Sequence, residues 1–249
     1  MVLDNRNAII YGGGGKVGGA IARAFAAAGA TVHLAGRTQA TLDRVAEDIR
    51  TAGGKAETAV VDALDERSVE QHADRVGRID ISVNVVSDND VQGIALVDIS
   101  VDDFMRPVQT AIRSKFITSR AAARRMIPRR SGVIMAFGGG MEPDAMTRWR
   151  LGGMSVAFDG VETLRRQLAS ELGRHGIRVI TLRTGGIVET LPADFEGRDR
   201  IETDVIDRSR LGRAATLADV GEVAVFAASD AARTLTGAAI NMSCGAWVD

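Results

Sequence analysis

Short apolar, β-branched runs alternate along the whole chain with longer stretches whose apolar residues recur at helical spacing. The short runs predict strands over 8–10, 31–35, 58–61, 79–86, 132–137, 177–182 and 238–242. The longer ones predict helices over 17–28, 39–52, 66–76, 104–127, 153–173 and 217–228. Strands buried on both faces read as unbroken apolar runs, and parallel neighbours need a crossover that a helix supplies. The pattern therefore predicts an α/β fold, a doubly wound parallel sheet of about seven strands with helices on both faces. No linker rich in Pro, Gly or Ser divides the chain, so its 249 residues are expected to form one domain. The least regular stretch, 189–213, follows the sixth strand at the sheet's carboxyl edge, where such folds bind ligands. A substrate-covering loop is expected there, with a surface insertion carrying a short helix as the plainer alternative.

The first predicted strand runs into Gly12-Gly13-Gly14-Gly15-Lys16-Val17-Gly18-Gly19 and then a helix. Glycines in that setting allow a tight bend, bring backbone N–H groups up to phosphate oxygens, and let helix pack on strand. The second strand ends at Gly36, where an NAD site usually carries a carboxylate for the ribose diol. Arg37 and Thr38 follow, and a guanidinium there suits a 2′-phosphate through bidentate, charge-assisted bonds. NADP(H) is thus expected over NAD(H), the alternative being that Arg37 is a solvated loop residue. Lys16 either adds a second positive charge or points to water.

Composition narrows the function classes. Lys+Arg 31 against Asp+Glu 32 leaves a net charge of −1, and aromatics make up only 4%, so nothing points to nucleic acid. The arginines from Arg124 to Arg130 are expected to be the solvated end of a helix. No apolar run approaches the roughly 18 residues of a membrane span, and the N-terminus lacks a signal-peptide layout. A single cysteine, Cys244, cannot form an internal disulfide; a structural role and a reducing cytoplasm are expected. His33 in a strand, His72 on an outer helix and His175 in a surface turn show no metal-ligand spacing.

Taken together, these segments resemble the short-chain dehydrogenase/reductase family over nearly the whole chain. Gly12, Gly15 and Gly18 are similar to a variant of the family's glycine motif; the commoner spacing would place Lys16 at the middle glycine. Asp62, with Ala63 beside it, resembles the family's adenine-contacting aspartate. Asn84-Val85-Val86-Ser87 stands where the family has Asn-Asn-Ala-Gly. His175-Gly176-Ile177-Arg178-Val179 resembles the family's approach to the sixth strand, and Thr236-Gly237 and Cys244-Gly245 its closing motifs. Thr184-Gly185-Gly186-Ile187 stands at its Pro-Gly turn, which puts Ile187 near the nicotinamide amide. The resemblance implies a Rossmann-like fold and a dinucleotide held by Gly12, Gly15, Lys16, Val17, Gly18, Arg37, Thr38, Asp62, Ala63, Asn84, Val85, Gly185 and Ile187. It also implies a homo-oligomer, tetramer or dimer, built on the helices over 104–127 and 153–173.

The family's proton relay of Asn, Ser, Tyr and Lys is not reproduced. Alignment places Ala111, Gly139, Met154 and Phe158 at those positions, and the only tyrosine in the chain is Tyr11, beside the glycine run. Hydride transfer to a carbonyl makes an alkoxide that needs a proton donor. Glu142, Asp144, Arg148 and Lys115 are candidate substitutes, and Met141, Trp149, Met154 and Glu189 are candidate pocket residues. Two apolar bodies at the Tyr and Lys positions suit an apolar ligand. Three functions stay open: an NADP(H)-dependent oxidoreductase for a small, mostly apolar carbonyl, alcohol or alkene compound with a non-standard donor; a cyclase, isomerase or dehydratase using the same pocket; or a nucleotide-binding sensor or partner subunit without catalysis.

Overall fold

The computed structural model describes residues 1–139 and 143–248, except the side chains of 143–145. Seven parallel strands form one sheet: β1 (Asn7–Tyr11), β2 (Thr31–Gly36), β3 (Lys55–Val60), β4 (Ile81–Asn84), β5 (Gly132–Gly139), β6 (Ile177–Thr184) and β7 (Ala238–Asn241). Their order is β3-β2-β1-β4-β5-β6-β7. The chain winds outward from β1 in one direction and from β4 in the other, so a crevice opens at the carboxyl ends of these two neighbours. In register, Tyr11 lies opposite Asn84 there.

Helices α1 (Lys16–Ala27), α2 (Gln39–Thr51) and α8 (Leu217–Ala228) cover one face. Ile21, Phe25, Val45, Ile49, Val220 and Ala224 pack there on Ile10, Leu34, Val83 and Leu182. Helices α3 (Glu66–Val76), α4 (Val101–Met126) and α6 (Gly153–Leu172) cover the other. Their Val69, Ile117, Ala121 and Leu172 meet Ile9, Tyr11, Ile134 and Val179. Gly153 lets α6 begin against α4, since a β-carbon there would run into the Phe104 carbonyl. Ser100 caps α4 by accepting from the Asp103 N–H at 3.1 Å, and Thr216 with Asp219 forms a capping box on α8. No helix among the described residues is long and apolar enough to cross a membrane.

The structure refines three expectations. The stretch 189–213 contains a full helix, α7 (Arg198–Arg208), and a short helix α5 (Pro143–Trp149) precedes α6. α7 carries only Ile201 and Val205 on its apolar stripe, too thin a signal to stand out among charges. At the end of α4, Arg124, Arg129 and Arg130 are exposed as expected, but Arg125 is largely withdrawn from solvent, and carboxylates brace the group. Arg125 bonds Glu70 at 2.8 Å and Asp74 at 2.5 Å, and Arg129 bonds Asp80 at 2.7 Å. His72, on the outer helix α3, faces inward: it is 3% exposed and meets the Tyr11 ring edge-on at 6.2 Å. Burial, with help from Arg75, lowers its pKa to about 4, so it is neutral at pH 7.

Candidate active site

The glycine run forms a cradle at the mouth of the crevice. Gly12 holds a φ of 86°, and a β-carbon on it would meet the Val85 carbonyl oxygen at 2.9 Å. A β-carbon on Gly14 would collide with the Thr41 hydroxyl, and one on Gly18 with the Gly12 carbonyl. Gly15 is the N-cap of α1, whose first turn has neither a side-chain cap nor an acidic residue. A helix start left open in this way suits an anion. The residues therefore fit the diphosphate of a dinucleotide.

From this cradle a recess of about 330 Å³ extends over β2 and β3, lined by Gly36, Arg37, Thr38, Asp62 and Ala63. Arg37 is exposed at its rim. Asp62 is fixed in the turn after β3, its Oδ1 accepting from the Leu64 N–H at 2.9 Å. Asn84 is buried at the end of β4. It donates to Thr118 Oγ1 at 3.0 Å and accepts from the Val86 N–H at 3.1 Å, which holds the loop that floors the crevice.

On the other side of that floor lies a cavity of about 540 Å³. Val85, Val86 and Ser87 line both spaces, so the two adjoin across this loop. Val17, Gly185 and Ile187 line the cavity. Its walls are mostly apolar, with Phe137, Trp149, Leu151, Met154, Phe158 and Trp247 among them. α7 closes one side with Ile201, Val205 and Arg208, residues one helical turn apart. The stretch expected to cover a substrate does border the cavity, through a helix as well as a loop. Lys16 ties that stretch to the cradle: its Nζ donates to the carbonyls of Glu189 and Leu191, both at 2.9 Å. Lys16 is nonetheless exposed, as one of the two expectations had it.

The positions aligned with the family's proton relay divide into two groups. Ala111 is buried in α4, packed with Ala157 and Val161 away from the cavity. Gly139, Met154 and Phe158 all line the cavity, and the Phe158 ring covers Gly139. Gln92 Nε2 lies 3.8 Å from Met154 Sδ. Tyr11 is buried in β1, and burial pushes its phenol well above the ordinary range, so it stays protonated and outside the cavity.

The candidate substitutes fare unevenly. Met141 and Glu142 lie outside the described residues, as does the side chain of Asp144. Arg148 turns away from the cavity to an ion pair with Asp204. Glu189 is a correction: its carboxylate accepts from the Leu217 N–H at the start of α8 rather than lining the pocket. Lys115 does reach the site. It is 2% exposed, and its Nζ donates to Asp88 Oδ1 at 3.0 Å. Asp88 itself lines the cavity, beside Asp90 and Gln92. Sequence reasoning missed this acidic loop. Two aspartates directly after the fourth strand, at the carboxyl edge, were the available signal.

Comparison with known proteins identifies the family. The family described as Enoyl-(Acyl carrier protein) reductase matches residues 15–246. Galactitol 2-dehydrogenase (L-tagatose-forming) of Cereibacter sphaeroides is 30% identical, covering 98% of this chain and 95% of its own length. A solved structure from Beutenbergia cavernae with NADP bound at low occupancy is 28% identical, with a TM-score of 0.84 over 96% of this chain and 95% of its own. A 7α-hydroxysteroid dehydrogenase solved with NADH and a 7-oxo bile acid is 27% identical, with a TM-score of 0.84 over 98% of this chain and 94% of its own. Matched from the glycine cradle almost to its end, the chain belongs to the short-chain dehydrogenase/reductase family of oxidoreductases.

Proposed function

We propose that the protein is an NADP(H)-dependent oxidoreductase acting on a small, mostly apolar carbonyl or alcohol compound, with a proton donor other than the family's tyrosine. The observation that carries this reading is a phosphate-compatible glycine cradle and its recess adjoining an apolar cavity across Val85, Val86 and Ser87. A bound nicotinamide cofactor supplies or removes the hydride. The chain's own residues do the rest. Gly12, Gly15 and Gly18 with the open start of α1 receive the diphosphate, and Asp62 and Ala63 border the adenine side. Arg37 at the recess rim supports NADP(H) over NAD(H), because no carboxylate stands at Gly36 to hold a free ribose diol.

Met154, Phe158, Trp149 and Trp247 exclude water from the reacting region and favour an apolar substrate body. The relative named for galactitol is described by a polyol substrate; the lining here supports a less polar one. Exposed Phe116 on α4 and Val156 on α6 support a homo-oligomer built on these helices, and a monomer mass in light scattering would contradict it. The function is tested by following NADPH oxidation against small ketones and diketones. Consumption of NADPH in proportion to alcohol formed is expected. Tight NADPH binding with no consumption across the panel would favour a non-catalytic sensor instead.

A further inference from the structure

The reading above leaves the substrate's proton unassigned, and the inference here rests on that reading. After β4 the chain passes over the carboxyl edge of the sheet and delivers Asp88 into the wall of the cavity that Gly138, Gly139, Met154 and Phe158 also line. Only 10% of its side chain is exposed. From beneath, α4 brings Lys115, whose side chain is 3% exposed, and the ammonium bonds Oδ1. The second carboxylate oxygen, Oδ2, takes no hydrogen bond among the described residues and is the one left for a ligand. Withdrawing an ammonium and a carboxylate from water costs several kcal/mol per ion, a cost more readily accepted at a working site than in a wall with no task.

We propose that Asp88 exchanges the proton with the substrate oxygen, and that Lys115 is the positioning residue that holds its carboxyl group. In the reducing direction the carbonyl carbon accepts the hydride of the dihydronicotinamide. The carbon–oxygen π pair moves onto oxygen, and the Asp88 carboxylic acid gives that oxygen its proton. Alcohol, oxidised nicotinamide and an Asp88 carboxylate result, the last paired with the Lys115 ammonium. In the oxidising direction the carboxylate removes the hydroxyl proton as the hydride leaves carbon.

The surroundings suit both forms of the group. Burial pushes the Asp88 carboxyl above the ordinary carboxylate range, Lys115 pulls it back down, and neighbouring Asp90 adds to the rise. Among the described residues, Arg208, from α7, is the remaining charged group in the cavity lining, and its guanidinium is engaged by Asp204 at 2.9 Å. A raised carboxyl is both a usable acid and a stronger base near neutral pH.

The test uses the full chain with NADPH and 2,3-butanedione, and with NADP⁺ and 2,3-butanediol for the reverse direction. Asp88→Asn is expected to lower kcat at least about 100-fold while calorimetry shows unchanged NADPH affinity. Asp88→Glu should recover part of the rate. The wild-type kcat should fall with rising pH in reduction and rise with it in oxidation, through one shared pKa. Lys115→Met should move that pKa upward and Lys115→Arg should bring it back, shifts that a purely structural role would not produce. Full activity and an unchanged pH profile in Asp88→Asn would overturn the proposal alone. Failure of the wild type to bind NADPH would overturn the cofactor reading and the proposal with it. Where NADPH binds but neither compound turns over, ¹³C carboxyl resonances decide. An Asp88 signal that responds to butanediol in the NADP⁺ complex supports the proposal, and an unresponsive one overturns it.

Discussion

The ring of Phe158 stands where a side chain on Gly139 would have to go: a β-carbon built on Gly139 meets Phe158 Cε2 at 2.6 Å. The two positions aligned with the family's serine and lysine are thus coupled by packing. A bulky aromatic at one requires glycine at the other. Gly139→Ala is expected to destabilise the chain by about 1–3 kcal/mol through overpacking. Combined with Phe158→Ala, the total should fall short of the sum of the single costs by about 1 kcal/mol or more. Urea denaturation of the four proteins measures this, and additive costs would contradict the contact.

Lys16 is expected to act as a strap. Its ammonium holds the carbonyls of Glu189 and Leu191, which lead into α7 and the cavity wall. Lys16→Ala should increase amide hydrogen exchange through residues 189–208 and leave the sheet's protection unchanged. Unaltered exchange in that stretch would show that the strap holds nothing.

His72 predicts a specific pH dependence of stability. Its folded pKa is about 4 against an ordinary 6.5, so between these values the unfolded chain binds a proton that the folded chain does not. Stability is therefore lost as pH falls through the unfolded value, and the loss levels off below about 4. Between pH 7 and pH 5 the loss from this group is about 2 kcal/mol. His72→Phe keeps a ring against Tyr11 and should flatten the curve by that amount in denaturant titrations. An equal slope in both proteins would rule out His72 as its source.

The sheet was legible because most strands carry an apolar run bounded by turns, but bounds shifted: β5 and β6 extend to Gly139 and Thr184, the half-exposed β3 begins at Lys55, and β4 spans only Ile81–Asn84. The cradle was legible for a related reason: only glycine tolerates the backbone approach of Gly12 to Val85. α7 was not, because three apolar residues among eleven, Ile201, Val205 and Ile206, give little periodicity. The inward turn of His72 was hidden too, since its histidine is a polar letter on an apolar face. At the site, Lys115 was found from helical spacing, but its partner Asp88 sits in an irregular loop where no period operates. Glu189 shows the opposite error. Its position beside the crevice suggested the pocket, whereas the unsatisfied N–H at the start of α8 claimed its carboxylate.

The central claim is that a phosphorylated nicotinamide dinucleotide docks in the glycine cradle with Arg37 at its 2′-phosphate. Isothermal calorimetry of the purified chain with NADPH and with NADH, repeated on Arg37→Ala, tests it most directly. The account predicts saturable binding of one NADPH per chain, tighter than NADH, with the variant losing about 10–100-fold toward NADPH and little toward NADH. Absence of binding by either nucleotide would contradict it.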